Sequence, residues 1–154
     1  MDKHLSYFKE ATMEVRKALC LRSQCGTVIV NSAGVIIGRG YNAPPQDDIS
    51  LRRCHRKHEL DATFKSDKTC CVHAEQRAIM DALRNNTDNI KGSTLYFLRL
   101  DEQGEMKSSG NPYCTICSKM ALDVGSKYFV LYHKEGIVVY DTKEYNELSF
   151  AYKE

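Results

Sequence analysis

No apolar run in this 154-residue chain approaches the roughly 20 residues needed to span a bilayer. The first residues, Met1-Asp2-Lys3-His4, lack the charged and then apolar start of an export signal. Neither sign of charge dominates. Lys and Arg number 22 against 20 Asp and Glu, and a net charge of +2 is too small to capture nucleic acid by bulk attraction. Internal repeats and low-complexity tracts are missing as well. These absences argue against a membrane protein, a secreted chain and a binder of long nucleic acids, and they lead to the expectation of a cytosolic protein. What remains is ordinary for a globular chain, with 42% hydrophobic and 27% charged residues. Its length suits one compact domain over residues 1–154.

Cysteine is the residue type present in excess. Seven occur, at Cys20, Cys25, Cys54, Cys70, Cys71, Cys114 and Cys117. An odd number without an export signal points to thiols or metal rather than a disulfide framework. Only Cys114 and Cys117 have tight metal-ligand spacing. Cys20 and Cys25 read as small buried residues.

The apolar period places a helix over 4–20. A short strand at 27–30, a turn at Asn31-Ser32-Ala33-Gly34 and a second strand at 35–40 form a hairpin. Pro44-Pro45 closes that strand, because proline cannot donate within a central ladder. Residues 43–70 form a long, polar, basic connection, and a loop of this length in a compact domain is usually functional or metal-stapled. A helix follows over 73–83, then a strand at 94–100 and a polar loop at 101–110. The remaining elements are a helix at 114–124, strands at 127–132 and 137–140, and a short closing helix after Thr142. This order predicts an α/β fold, a three-layer α/β/α sandwich around a mixed sheet of about five strands.

The chemistry is concentrated in His73-Ala74-Glu75 and Cys114-Thr115-Ile116-Cys117. Both begin predicted helices, where unpaired backbone N–H groups and the helix dipole favour thiolates. His73, Cys114 and Cys117 supply three ligands, and a tetrahedral zinc with three protein ligands keeps its fourth position open for water. Glu75 is not needed for coordination, so its place two residues from His73 suits it to move that water's protons. Alone, Cys-x-x-Cys also fits a redox pair or half of a structural zinc site. The combination with His-x-Glu points to addition of activated water to an unsaturated carbon and expulsion of ammonia.

These residues resemble the cytidine deaminase-like family, and within it the deoxycytidylate (dCMP) deaminases. The resemblance also rests on Cys20-Leu21-Arg22-Ser23 leading into Gly26-Thr27-Val28-Ile29-Val30, on Gly38-Arg39-Gly40-Tyr41-Asn42, and on Val72 to Ile79 around the catalytic helix start. It implies a zinc-dependent deaminase taking dCMP to dUMP by zinc-hydroxide attack at C4, with Glu75 as proton shuttle. It also implies Asn42 as a substrate contact; Ala74, Arg77 and Tyr113 are further substrate-binding candidates, with Arg77 pairing a phosphate or carboxylate or pointing to solvent, and Tyr113 stacking on a base or packing against the helix. Asn42 before Ala-Pro-Pro equally fits turn chemistry. Two departures stand out: Tyr113 separates Pro112 from Cys114, and Arg77 replaces the asparagine common in the family. Deamination of another nucleoside, a nucleobase or a base in tRNA or single-stranded DNA stays open. So does a non-catalytic zinc-binding regulatory module, against which Glu75 argues.

Arg52-Arg53-Cys54-His55-Arg56-Lys57-His58 lies just upstream. It fits capture of a nucleotide phosphate or a solvated charged loop. Cys54 and His58, with Cys70 or Cys71, are candidate ligands of a second, structural zinc; reduced, inert thiols are the alternative. The expected partners are a small nucleotide and further copies of the same chain, with nucleic acid disfavoured and no membrane.

Overall fold

The computed structural model describes residues 2–53, 69–85 and 87–153. Helix α1 spans Lys3–Val15 and starts at Asp2, whose side chain accepts from the His4 N–H at 3.0 Å. The apolar period suggested a helix to residue 20, but the backbone leaves it at Arg16. The Leu19 N–H instead donates to the Asn42 carbonyl at 3.0 Å, and Arg52 forks onto the Leu19 carbonyl at 3.0 and 2.6 Å. Tertiary partners claim these backbone groups before another helical turn can.

Strands β1 (Gln24–Val30) and β2 (Ile36–Tyr41) form the predicted hairpin. Strand β3 (Thr94–Leu100) falls on its expected bounds. The loop read as 101–110 contains a short additional strand, β4 (Met106–Lys107), paired with the end of β3. Two residues carry too little alternation for a sequence to announce such a strand. Strands β5 (Tyr128–His133) and β6 (Gly136–Asp141) complete a sheet ordered β2-β1-β3-β5-β6, with β4 off the path.

The remaining helices are α2 (Ala74–Asn85), α3 (Thr115–Asp123) and α4 (Thr142–Ala151). On one face of the sheet, Phe8, Ala11 and Val15 of α1 pack on Val28, Val30, Tyr96, Leu98 and Val130. On the other, α2, α3 and α4 pack on Ile29, Leu95, Phe129 and Leu131. This is the expected three-layer sandwich.

Strand directions decide where the site forms. Both β2 and β3 run antiparallel to β1, so they run parallel to each other and end at one edge of the sheet. Helix α2 follows β2, and α3 follows β3 before the parallel strand β5. Their N-termini therefore meet at that edge, the carboxyl end of the strands, where open α/β sheets bind ligands. Among the described residues, no helix is long and apolar enough to cross a membrane.

Candidate metal centre

His73 immediately precedes α2, Cys114 is the N-cap residue of α3, and Cys117 lies in that helix's first turn. The meeting of the two helix starts brings all three side chains together. His73 Nδ1 is 3.2 Å from Cys117 Sγ and 3.4 Å from Cys114 Sγ, and the two sulfurs are 3.2 Å apart. Tetrahedral zinc, with Zn–S of about 2.3 Å and Zn–N of about 2.0 Å, spreads its ligands to roughly 3.5–3.8 Å. The triangle is therefore slightly contracted but has the shape and donor set the ion needs. Among the described residues, these three form the group able to hold a metal.

The surroundings lock this geometry. The His73 N–H donates to Gln76 Oε1 at 3.0 Å, and Gln76 Nε2 reaches Met120 Sδ at 3.7 Å, tying α2 to α3. Thr69 Oγ1 stands 3.5 Å from His73 Nε2, on the ring nitrogen that faces away from the sulfurs. Ser118 Oγ donates to Asn146 Oδ1 at 2.7 Å, which holds α3 against α4.

The two sulfurs are hydrogen-bonded to each other. That contact with Cys117, with His73 behind it, holds Cys114 down to about 4. The same contact and burial push Cys117 well above the ordinary thiol range. A thiolate at a helix N-terminus is the form in which cysteine binds metal. Glu75 is 5% exposed. Burial, followed by the Cys114 charge, pushes its carboxyl above the ordinary range, while His73 opposes the shift. Glu75 is also a hydrogen-bond partner of Cys117, which places the carboxyl beside the ligand triangle.

The predicted substrate residues lie around this centre with other engagements. The Asn42 amide accepts from the Cys25 N–H at 2.9 Å and donates to the Ser23 carbonyl at 2.6 Å. Ala74 is fully buried, with its carbonyl turned to Gly40 of β2. Arg77 is directed onto the loop after β2, with both terminal nitrogens donating to protein oxygens. Tyr113 is 51% exposed and lies 5.7 Å from the Tyr152 ring. Desolvation, with the Glu75 charge behind it, pushes its hydroxyl up to about 12.

Cys54 and His58 lie outside the described residues. Cys70 and Cys71 are described and stand apart from the triangle. A hydrogen bond with Cys20, then burial and the neighbouring Cys70, push the Cys71 thiol up. Cys20 is therefore joined to the Cys70-Cys71 pair in space, which the sequence did not indicate.

Three residues near the centre escaped sequence reasoning. Cys25 and Arg99 are register partners on β1 and β3 and share the face that carries α2 and α3. Burial pushes the Cys25 thiol up to about 12, with the Glu75 charge adding to the effect. Arg99 Nη2 donates to the Ser109 carbonyl at 2.9 Å, holding the chain that leads into α3. Tyr145 of α4 stacks on Phe129 with ring centres 3.7 Å apart and planes 11° apart. Burial, and then Glu75, raise its hydroxyl well above the usual range. An arginine within the apolar run Thr94 to Leu100 was the available signal; Tyr145 had none.

Comparison with known proteins bears on this arrangement. The family model described as the cytidine and deoxycytidylate deaminase zinc-binding region matches residues 1–133. The deoxycytidylate deaminase of Homo sapiens is 34% identical over 108 residues, covering 68% of this chain and 50% of that protein. That of Schizosaccharomyces pombe is 32% identical over 88 residues, covering 54% of this chain and 27% of that protein. The chain thus spans about half the length of the human protein and less of the Schizosaccharomyces pombe one. Among solved structures, cytidine deaminase from Burkholderia pseudomallei superposes with a TM-score of 0.61 at 16% identity, covering 94% of this chain and 96% of that one. The dCMP deaminase of cyanophage S-TIM5, solved with dCMP and dUMP, gives 0.55 at 22% identity, covering 84% and 81%. These two likenesses establish the fold.

Proposed function

The chain belongs to the cytidine and deoxycytidylate deaminase zinc-binding family, and on that premise we propose that it hydrolyses dCMP to dUMP and ammonia. One observation carries the reading: a buried carboxyl, Glu75, sits beside three ligand atoms that already complete a protein's share of a catalytic zinc site. A structural site gains nothing from that carboxyl and would suffer its desolvation. The choice of dCMP over other amino-bearing bases is supported by the deoxycytidylate deaminases to which the chain is similar.

His73, Cys114 and Cys117 would hold the ion. Zinc in that position supplies Lewis acidity that makes water a competent nucleophile near neutral pH. Glu75 accepts a proton from the attacking water and passes it to N3 of the pyrimidine. It then carries the second proton to the amine leaving C4, so that water enters and ammonia departs. An elevated carboxyl pKa suits this work, because a proton shuttle must both take and give within one turnover. Cys25 and Tyr145 lie near enough for the Glu75 charge to act on both, and Glu75 itself is buried from bulk solvent.

The proposal extends to one deaminase unit over 1–154 that works in the cytosol as a homo-oligomer. Self-association is supported by the exposed apolar side chains of Met80 and Leu83 on α2 and of Leu148 and Phe150 in the C-terminal segment. The cytosol is supported by the six described cysteines, which are thiols rather than disulfides. Ammonia release should be screened over dCMP, CMP, dCTP, deoxycytidine, cytidine, guanine and a tRNA anticodon stem. The expected result is the highest kcat/KM for dCMP; preference for any other member overturns the substrate, and inertness towards all overturns the reaction. Zinc analysis on the same preparation reads about one ion per chain for the catalytic centre, or about two if Cys54, His58 and the Cys70-Cys71 pair hold another.

A further inference from the structure

Arg77 lies one half-turn beyond Glu75 on α2, and the loop leaving β2 is fastened to it. Its Nη1 donates to Asp47 Oδ1 and its Nη2 to the Pro44 carbonyl, both at 3.0 Å. The guanidinium carbon lies 4.9 Å from the centre of the Tyr41 ring. The Tyr41 hydroxyl completes the clasp by donating to Asp47 Oδ2 at 2.5 Å. Hydrogen bonds from Tyr41 and Arg77 together hold the Asp47 carboxyl below the ordinary carboxylate range, against the opposing effect of desolvation. A planar fork that stacks on a ring while bonding two oxygens is a task for arginine and not for lysine.

The fastened segment is strained. Gln46 has φ 56° and ψ 22°, and Asp47 follows with φ 60°. Two successive left-handed residues, neither of them glycine, persist only where the surroundings impose them. The clasp grips the segment on both sides of Gln46, at Pro44 and at Asp47. At its other end the segment is joined to the metal centre with almost no slack. Ala43 and Val72 exchange two backbone hydrogen bonds, of 3.3 and 2.8 Å. Val72 directly precedes the ligand His73, and Asn42 directly precedes Ala43.

We infer that Arg77 is a positioning residue: by holding residues 44–47 against α2, it fixes the Asn42-Ala43 edge of the substrate side relative to His73 and Glu75. Both terminal nitrogens are engaged within the protein, so its effect on substrate runs through this loop and not through a bond to phosphate. The kinetic consequence rests on the deaminase reading, whereas the clasp can be read without it.

The test uses the zinc-loaded full chain with Arg77→Met, Asp47→Asn and the double variant. Amide exchange over residues 43–48 is measured together with zinc content and with kcat and KM for dCMP and deoxycytidine. Exchange should quicken about tenfold in each single variant and no further in the double, because both substitutions open one clasp. KM should rise about tenfold for both substrates with kcat within about threefold, again without addition in the double. Unchanged exchange in Arg77→Met overturns the clasp, and faster exchange with unchanged KM overturns the positioning role. A KM rise confined to Arg77→Met and to dCMP makes Arg77 a phosphate ligand and overturns the inference. If the wild type deaminates nothing, the deaminase reading and the kinetic half of the inference both fail, while exchange still decides the clasp.

Discussion

At the scale of single residues, Asn42 illustrates how one side chain can hold a site together without touching the metal. Its amide accepts from the Cys25 N–H and donates to the Ser23 carbonyl, and its own carbonyl receives the Leu19 N–H. It is 8% exposed, so truncation leaves backbone groups without partners in a water-poor setting. Asn42→Ala is expected to lose about 1–3 kcal/mol of stability by urea denaturation of the zinc-loaded protein. The metal residues were legible in the sequence because short spacings along a helix start are local geometry. Cys114 and Cys117 must share a turn wherever α3 sits, and Glu75 must follow His73. Cys25 and Arg99 were not legible, because they become neighbours only through the pairing of β1 with β3. The engagements of Arg77 depend on a loop conformation that no residue pattern announces.

At the scale of elements, the packing of α2 on β2 sets the position of His73 and Glu75. The contact is close because β2 presents glycine. A Cβ at Gly40 would lie 2.3 Å from the Ala74 carbonyl and 2.5 Å from the Ala78 nitrogen; one at Gly38 would lie 2.4 Å from the Ala78 carbonyl. These are backbone atoms of a helix, so they cannot turn aside as a side chain would. Gly40→Ala should therefore displace the first turn of α2, with a cost of about 1–3 kcal/mol or more. Thermal denaturation should show the loss, and zinc affinity should fall with it because His73 moves with the helix. Unaltered stability and metal content would contradict this view of the contact. Strong periodicity was enough to place α2 and β3. The end of α1 was misplaced because Ala18 and Leu19 continue the apolar period while Asn42 and Arg52 take the backbone N–H and carbonyl of Leu19 away from the helix. Strand β4 was missed because its two residues pair only by virtue of the hairpin that follows β3.

At the scale of the whole molecule, one sheet separates two apolar layers, and the site grows from the layer that holds α2, α3 and α4. Helix α4 lies beyond residue 133, where the family match ends, yet it is packed directly behind the metal centre. The Tyr145 ring stacks on Phe129 of β5, and Asn146 accepts from Ser118 of α3. Tyr145→Ala should cost about 3–5 kcal/mol, in the range for removing a large buried ring. Scanning calorimetry should register this as a fall of several degrees in Tm. The layer order was legible because each helix buries one apolar stripe; the role of α4 behind the site was not. The account as a whole stands on Glu75 being the proton carrier of a zinc deaminase. Its most direct test is dUMP formation from dCMP by zinc-loaded wild type and zinc-loaded Glu75→Gln. The account predicts turnover by the wild type and a loss in kcat of about 10²–10⁴-fold in the variant, with zinc retained at about one per chain. Equal turnover by both proteins, or no dUMP from the zinc-loaded wild type, would contradict it.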